Sequence, residues 1–259
     1  MPSWNSDQYL KFANERTQPA TDLAARIALP APARVIDLGC GPGNSTAVLA
    51  RRWPAAGITG LDSSPAMIAA AEKDHPHFSW LTGDIATWPD PTTAAYDVIF
   101  SNAAYQWVPD HATLLPRLFR CVTPGGALAF QVPANFDAPP HRLMRELAAT
   151  PAWRTHFPTA PREWHTHAPA FYYDTLAPLA AHLDLWTTDY FHILDGVDGI
   201  IEWYRGTGLR PWLEALPDDA TRNQFLADYR ALLVPYFPPQ PDGRVLFPFH
   251  RLFVIAYAK

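Results

Sequence analysis

Cysteine is nearly absent: Cys40 and Cys121 are the only two in 259 residues. Two thiols cannot build a disulfide framework, and no Cys/His cluster has the spacing of a metal site, so no metal is expected. Charge is scarce as well. Lys and Arg number 20 against 25 Asp and Glu, for a formal charge of -5. That balance gives no general attraction for a phosphate backbone, so nucleic acid is not an expected partner. No apolar run approaches the roughly 20 residues that a membrane-spanning helix needs. Met1–Arg16 is polar and lacks the basic start and apolar centre of a secretory leader, which makes the cytosol the expected compartment. Nothing in the chain calls for an obligate protein partner. Glycine, at 13 residues, is outnumbered by proline, at 28, yet no repeat or low-complexity segment suggests a fibre. The prolines are expected to end helices and stiffen loops.

What remains is a chain that is 48% hydrophobic and rich enough in apolar segments to build a substantial core. Short apolar runs at Arg34–Leu38, Gly57–Asp62, Phe78–Thr82, Tyr96–Phe100 and Ala127–Val132 read as strands. Helical patterns alternate with them. One opens at Asn44, and another follows a Ser64 cap with Pro65 in its first turn. A third runs through Leu114–Leu118, where Pro116 is expected to bend it, and Pro124-Gly125-Gly126 reads as a turn. Strands that are apolar along their whole length, alternating with helices, indicate a doubly wound α/β fold with a mostly parallel sheet covered on both faces. After residue 132 the rhythm changes. Helices are expected near residues 141–149, from Tyr173, and in pieces over 196–242, with further strands at Leu183–Tyr190 and Leu252–Tyr257.

In an open α/β sheet, ligands bind beyond the carboxyl ends of the strands. The first such connection here is Asp37-Leu38-Gly39-Cys40-Gly41-Pro42-Gly43-Asn44. Gly39 and Gly41 allow a sharp turn and close approach of a ligand to the backbone, and the next helix exposes unpaired N–H groups. Asp62, at the end of the next strand, stands where it can accept hydrogen bonds from a ribose diol. A dinucleotide site would need Gly-x-Gly-x-x-Gly around a pyrophosphate, and a Walker loop would need Lys where Asn44 stands. Asp37, just before the loop, would repel a pyrophosphate but favour a ligand with a cationic amine or sulfonium. Blander roles stay open: Asp37 as a helix-terminus partner, Asp62 or Asp84 as a turn acid, Met67 as ordinary core, and Cys40 as a small buried filler.

Asp37–Asn44 taken with Asp62, Gly83-Asp84-Ile85, Asp97–Asn102 and Pro124-Gly125-Gly126 resembles the class I S-adenosylmethionine-dependent methyltransferases. The resemblance implies a Rossmann-like sheet of seven strands with the last one antiparallel, S-adenosylmethionine as cofactor and S-adenosylhomocysteine as product. It places the Gly39–Gly41 turn against the methionine part of the cofactor and Asp62 on the ribose hydroxyls. Ser63 and Met67 would lie near ribose and adenine, Asp84 and Ile85 would fix the adenine, and Asn102 with Ala103 would floor the methionine end. Tyr9 would cover the cofactor from the amino-terminal side. The implied organisation is a cap and cofactor-binding part over residues 1–132, an edge strand plus a helical substrate lid over 133–250, and the last antiparallel strand over 251–259.

Four further segments resemble those members of the family that esterify a small unsaturated tricarboxylate. They are Trp4-Asn5 with Tyr9–Phe12 and Glu15-Arg16, Pro42–Thr46 with Arg52–Ala56, Asn102–Trp107 with Pro109–His111, and Thr207–Leu213, of which the last falls in the expected lid. A small polycarboxylate is therefore the expected partner. Its negative charge calls for arginine and histidine. Arg210 and Arg251 are the first candidates, with Trp107, His165, Tyr173 and Tyr204 as further positioning residues. Arg16, Arg205, Arg244, His167, Tyr172 and Trp203 stand behind them. An ionised carboxylate needs no general base, so none is expected. Another small or carrier-bound di- or tricarboxylic acid, or cofactor binding without catalysis, are the alternatives.

Overall fold

The computed structural model describes residues 13–88, 96–159 and 164–259. It opens on α1 (Ala13–Arg26), followed by β1 (Arg34–Leu38), α2 (Asn44–Arg52), β2 (Gly57–Asp62), α3 (Pro65–Asp74), β3 (Ser79–Thr82) and β4 (Tyr96–Asn102). Next come α4 (His111–Phe119), β5 (Val122–Pro133), α5 (Pro139–Ala149), α6 (Pro169–Leu176) and β6 (His182–Leu194). The chain ends with α7 (Gly196–Arg205), α8 (Arg210–Glu214), α9 (Asp219–Leu233) and β7 (Val245–Tyr257). The strands form one sheet of seven in the order β3-β2-β1-β4-β5-β7-β6. Pairings among β1 to β5 are parallel, and β7 runs antiparallel to β5. The order reverses between β1 and β4, which puts the ligand crevice of such a sheet at the carboxyl ends of those two strands.

Local chemistry sets the helix starts. The Ser64 side chain accepts from the Met67 N–H and Pro65 occupies the first turn of α3, as expected from the sequence. Asp110 caps α4 by accepting from the Thr113 N–H, and Pro116 is carried inside that helix, which continues to Phe119. Elsewhere the structure extends or corrects the sequence reading. The helix α1 has no counterpart in it: Pro19 lies inside the helix and only one side, with Leu23, Ala24 and Ile27, is apolar and buried. Pro124-Gly125-Gly126 does not end the strand. Tyr96 pairs with Val122 and Val98 with Ala127, so β5 passes through a bulge there, with Gly125 at φ 74°. β6 and β7 are longer than expected, because their added halves alternate exposed and buried residues instead of running apolar.

The described residues group into two compact units. The first holds the residues up to Ala134, His165–Thr188 and Arg251–Lys259. Its core includes Ile36, Leu38, Ile99, Leu115, Phe130, Tyr172, Leu176 and Val254. The second holds Asn135–Trp164 and Asp189–His250. There α5 and α9 meet: the Tyr229 hydroxyl donates to the Pro140 carbonyl at 2.9 Å, and Trp153 packs edge-on against Phe225. The stretch 133–250 is thus divided, since α6 belongs with the sheet, where Tyr172 and Leu176 are fully buried in its core. No helix among the described residues is long and apolar enough to cross a membrane.

Candidate active site

The loop after β1 is built for close approach. Gly39, Gly41 and Gly43 all take positive φ, and both Gly39 and Cys40 donate backbone N–H bonds to the Leu61 carbonyl. A side chain at Gly39 would overlap Ala104, so the turns after β1 and β4 touch there. At Gly41 an added Cβ would meet no atom of the described residues within 4 Å. That open side lies at the switch point, where a ligand can reach the backbone. Asp62 braces the loop from β2: one carboxylate oxygen accepts from the Gly41 N–H at 3.0 Å and the other from the Ser64 N–H at 2.8 Å. The acid is therefore held in one orientation, with lone-pair capacity left over for a diol. Burial pushes its pKa up, and the backbone N–H bonds of Ser64, Gly41 and Ser63 oppose that shift.

Asp37 is fully buried at the end of β1. Its Oδ2 accepts from the Ser45 and Thr46 hydroxyls at 2.6 and 2.7 Å, tying it to the first turn of α2. Its Oδ1 is buried with no hydrogen-bond partner among the described residues. The helix-terminus role is thus present, and one oxygen is left over. Burial raises the Asp37 pKa to about 6, with the two hydroxyls lowering it and the Asp62 charge raising it further. A folded-state value above the ordinary one stabilises the fold below pH ~3.9, and that stabilisation is lost as pH rises through about 6. At neutral pH the ionised acid therefore costs on the order of 3 kcal/mol. A cationic ligand beside Oδ1 would offset that cost, in keeping with the cation expected there from the sequence. A bound cation favours the ionised form, so binding should take up no proton above pH ~7 and release one near the Asp37 pKa. Cofactor affinity is expected to fall by up to about tenfold per pH unit below about 6, and Asp37→Asn should remove that slope. A dissociation constant flat from pH 7 to 5 would rule the effect out.

The remaining predicted cofactor residues fall at the ends of β2, β3 and β4. Ser63 is exposed beside Asp62, whereas Met67 is buried in α3 and packs as core. Asp84 is exposed and caps its own turn, accepting from the Ala86 N–H at 2.8 Å with Oδ1. Ile85 is buried, and its Cδ1 would lie 3.4 Å from a Cβ at Gly39. Asn102 and Ala103 close β4. Ala103 is held at φ 55°, a conformation unfavourable for alanine, by an N–H bond of 3.0 Å to the Gln131 carbonyl. Tyr9 lies outside the described residues.

Beyond β4 the edge becomes basic. Arg251, buried on β7, donates to Gln131 Oε1 on β5 at 3.3 Å. Gln131 in turn donates to Asn102 Oδ1 at 2.8 Å, and Asn102 donates to the main-chain carbonyl of Arg16 on α1 at 3.4 Å. The sequence reading missed Gln131, because a single amide inside an apolar strand carries no pattern of its own. The register Asn102↔Gln131 and Pro133↔Arg251 fixes the order across the sheet: Asp62, Asp37, Asn102, Gln131, Arg251. Neighbouring strands lie about 4.8 Å apart. Within roughly 20 Å the sheet edge therefore passes from two carboxylates, through two amides, to a guanidinium.

His111 organises the approach to this edge. Its Nε2 lies 2.8 Å from the Tyr105 carbonyl and therefore carries the proton, which leaves Nδ1 to accept from the Tyr172 hydroxyl at 3.1 Å. The Tyr172 oxygen accepts from the His167 N–H, and the His165 N–H donates to the Gln106 carbonyl. Burial holds the His111 pKa below the usual value, with the Tyr105 bond opposing it. His165 and Trp107 are half-buried in this region. Tyr173 is 55% exposed, because on α6 it is Tyr172 that turns inward. In the second unit, Arg210 pairs with Glu214 at 2.6 Å and is mostly shielded. Arg205 and Arg244 are exposed, paired with Glu202 and with Asp195 and Asp242. Tyr204 is buried there, accepting from Asn135 at 3.1 Å and packing edge-on against His141, so it is a core residue of that unit.

An antiparallel seventh strand inserted between β5 and β6, a glycine loop after β1 and an acid after β2 define a class I S-adenosylmethionine-dependent methyltransferase. Residues 35–126 match the family described as Methyltransferase domain. A trans-aconitate 2-methyltransferase of Azoarcus sp. is 51% identical over 99% of both chains, and one of Methylobacterium nodulans is 50% identical over 99% of this chain and 98% of its own. The crystal structure of a putative methyltransferase from Bacillus halodurans shares the fold at 14% identity, with a TM-score of 0.57 over 94% of this chain and 99% of the other. The chain belongs to the trans-aconitate 2-methyltransferase family.

Proposed function

We propose that this enzyme transfers the methyl group of S-adenosylmethionine to a carboxylate oxygen of trans-aconitate, giving a monomethyl ester and S-adenosylhomocysteine. The acid-to-base gradient along the carboxyl edge of the sheet carries this reading. It offers carboxylates to a cationic donor at one end and a guanidinium to an anionic acceptor at the other. The similarity to trans-aconitate methyltransferases over nearly the whole chain narrows the acceptor.

The bound cofactor supplies a methyl group already activated by its sulfonium. A carboxylate oxygen is ionised at neutral pH and would need no base to accept that methyl: the O–C bond would form as the S–C bond broke, its electron pair remaining on sulfur, with no proton to move. What remains for the chain is placement in line and exclusion of water. Asp62 holds the ribose hydroxyls, and Ser63, Asp84 and Ile85 sit at the adenosine end. Gly39, Gly41, Asn102 and Ala103 hold the methionine end, with Asp37 balancing its positive charge. Arg251 offsets the acceptor charge from the sheet, and His165 and Trp107, on the same unit, are the further positioning candidates. Arg210 is the arginine we assign to the acceptor carboxylates on its resemblance and charge, and the cytosol is the compartment this chemistry suits.

Formation of a base-labile monomethyl ester from trans-aconitate and methyl-labelled cofactor tests the reaction. Arg210→Ala is expected to raise the Michaelis constant for the acid by tenfold or more, about 1.5–3 kcal/mol for one charged hydrogen-bonded contact, and to leave that for the cofactor unchanged. Steady-state constants equal to those of the parent would remove Arg210 from the acceptor site.

A further inference from the structure

We propose that Gln131 is a positioning residue that sets the amide of Asn102 for cofactor binding. The proposal rests on the cofactor reading above and not on the identity of the acceptor. Gln131 is fully buried between Phe130 and Val132 on β5, a place where an amide is tolerated only when both its ends are bonded. Its orientation has one solution. Arg251 has donors and no acceptor, so the oxygen of Gln131 faces the guanidinium at 3.3 Å. Its NH2 then faces Asn102 and donates to Oδ1 at 2.8 Å. The NH2 of Asn102 is thereby turned away from β5. One of its hydrogens points to the Arg16 carbonyl at 3.4 Å, and the other, which has no partner among the described residues, is available to a ligand at the switch point.

The main chain of Gln131 acts on the same loop. Its carbonyl accepts the Ala103 N–H at 3.0 Å, which holds Ala103 at φ 55°. One residue therefore fixes two consecutive positions of the turn after β4, the side chain through Asn102 and the backbone through Ala103. Only the first of these is altered by substitution, which makes the side-chain contribution separable.

Gln131→Glu separates it directly. A carboxylate keeps an acceptor for Arg251 but cannot face Asn102 Oδ1, so the Asn102 amide must turn around and present oxygen where it had presented N–H. Cofactor binding is read by tryptophan fluorescence with S-adenosylmethionine alone, so a wrong acceptor leaves the result untouched. Gln131→Glu is expected to weaken binding about tenfold or more, while the same change made in an Asn102→Ala background shifts binding less than about twofold. Asn102→Asp, which accepts from Gln131 in the original orientation but has no donor of its own, is expected to weaken binding about tenfold as well. The melting temperature of each variant separates folding from binding. Binding within about twofold of the parent in Gln131→Glu, or in Asn102→Asp should Gln131→Glu fail to fold, would overturn the proposal. So would an equal loss with and without Asn102, which would mark Gln131 as merely structural.

Discussion

Replacing Asp62 with alanine is expected to weaken binding of S-adenosylmethionine on the order of 100-fold, the value of two charged hydrogen bonds. The acid does two things at once. It orients the glycine loop through the Gly41 N–H and its own strand exit through the Ser64 N–H, and it keeps lone-pair capacity for a ribose diol. Asp62→Asn should lose nearly as much, because one of its two oxygens becomes an NH2 facing a backbone donor. Calorimetric titration with the cofactor checks both. A loss below about threefold in Asp62→Ala would show that the carboxylate serves the loop alone and touches no ligand.

The second large effect separates two glycines that look alike in the sequence. At Gly39, φ is 75° and an added methyl would collide with Ala104. Gly39→Ala is therefore expected to destabilise the first unit by about 2–4 kcal/mol, seen as a melting temperature lower by roughly 5–15 °C. At Gly41, φ is 55° but no atom of the described residues lies within 4 Å of the added carbon. Gly41→Ala should cost only about 1–2 kcal/mol of strain, while its methyl enters the space assigned to the cofactor and weakens binding about tenfold or more. Melting curves with and without S-adenosylhomocysteine distinguish the two. If Gly41→Ala were to bind the cofactor as well as the parent, the ligand would have to lie elsewhere than against this loop.

The cofactor half of this site was legible in the sequence because its determinants are local. Asp37, Gly39, Gly41 and Asp62 sit within one strand-loop-helix-strand unit, and each has a conformational or charge requirement that few other residues meet. The mostly parallel α/β sheet followed from alternation and the antiparallel end from resemblance, and both stand in the structure. The other half was less legible because it depends on which strands become neighbours. Gln131 gains its meaning only when β4 and β7 flank β5, bringing residues 102 and 251 to it from opposite sides. Tyr172 and Tyr173 differ by one position, and only the packing of α6 on the sheet decides that Tyr172 reaches His111 while Tyr173 stays exposed. The resemblance put Met67 near the adenine while leaving ordinary core open, and Tyr204 was a positioning candidate; both side chains are buried, which residue type alone did not reveal. The proline inside α1 and the Pro-Gly-Gly bulge in β5 misled for one reason: tertiary packing overrides the local preference of these residues to end an element.

The most direct test of the account is the specificity constant for methyl transfer, resolved by product mass, from S-adenosylmethionine to trans-aconitate, cis-aconitate, citrate, isocitrate and simple dicarboxylates. The account predicts a monomethyl ester of trans-aconitate formed at least about tenfold more efficiently than any other ester, with the preference reduced in Arg210→Ala. Equal or greater efficiency with another acid, or tight cofactor binding with no ester from any of them, would contradict it.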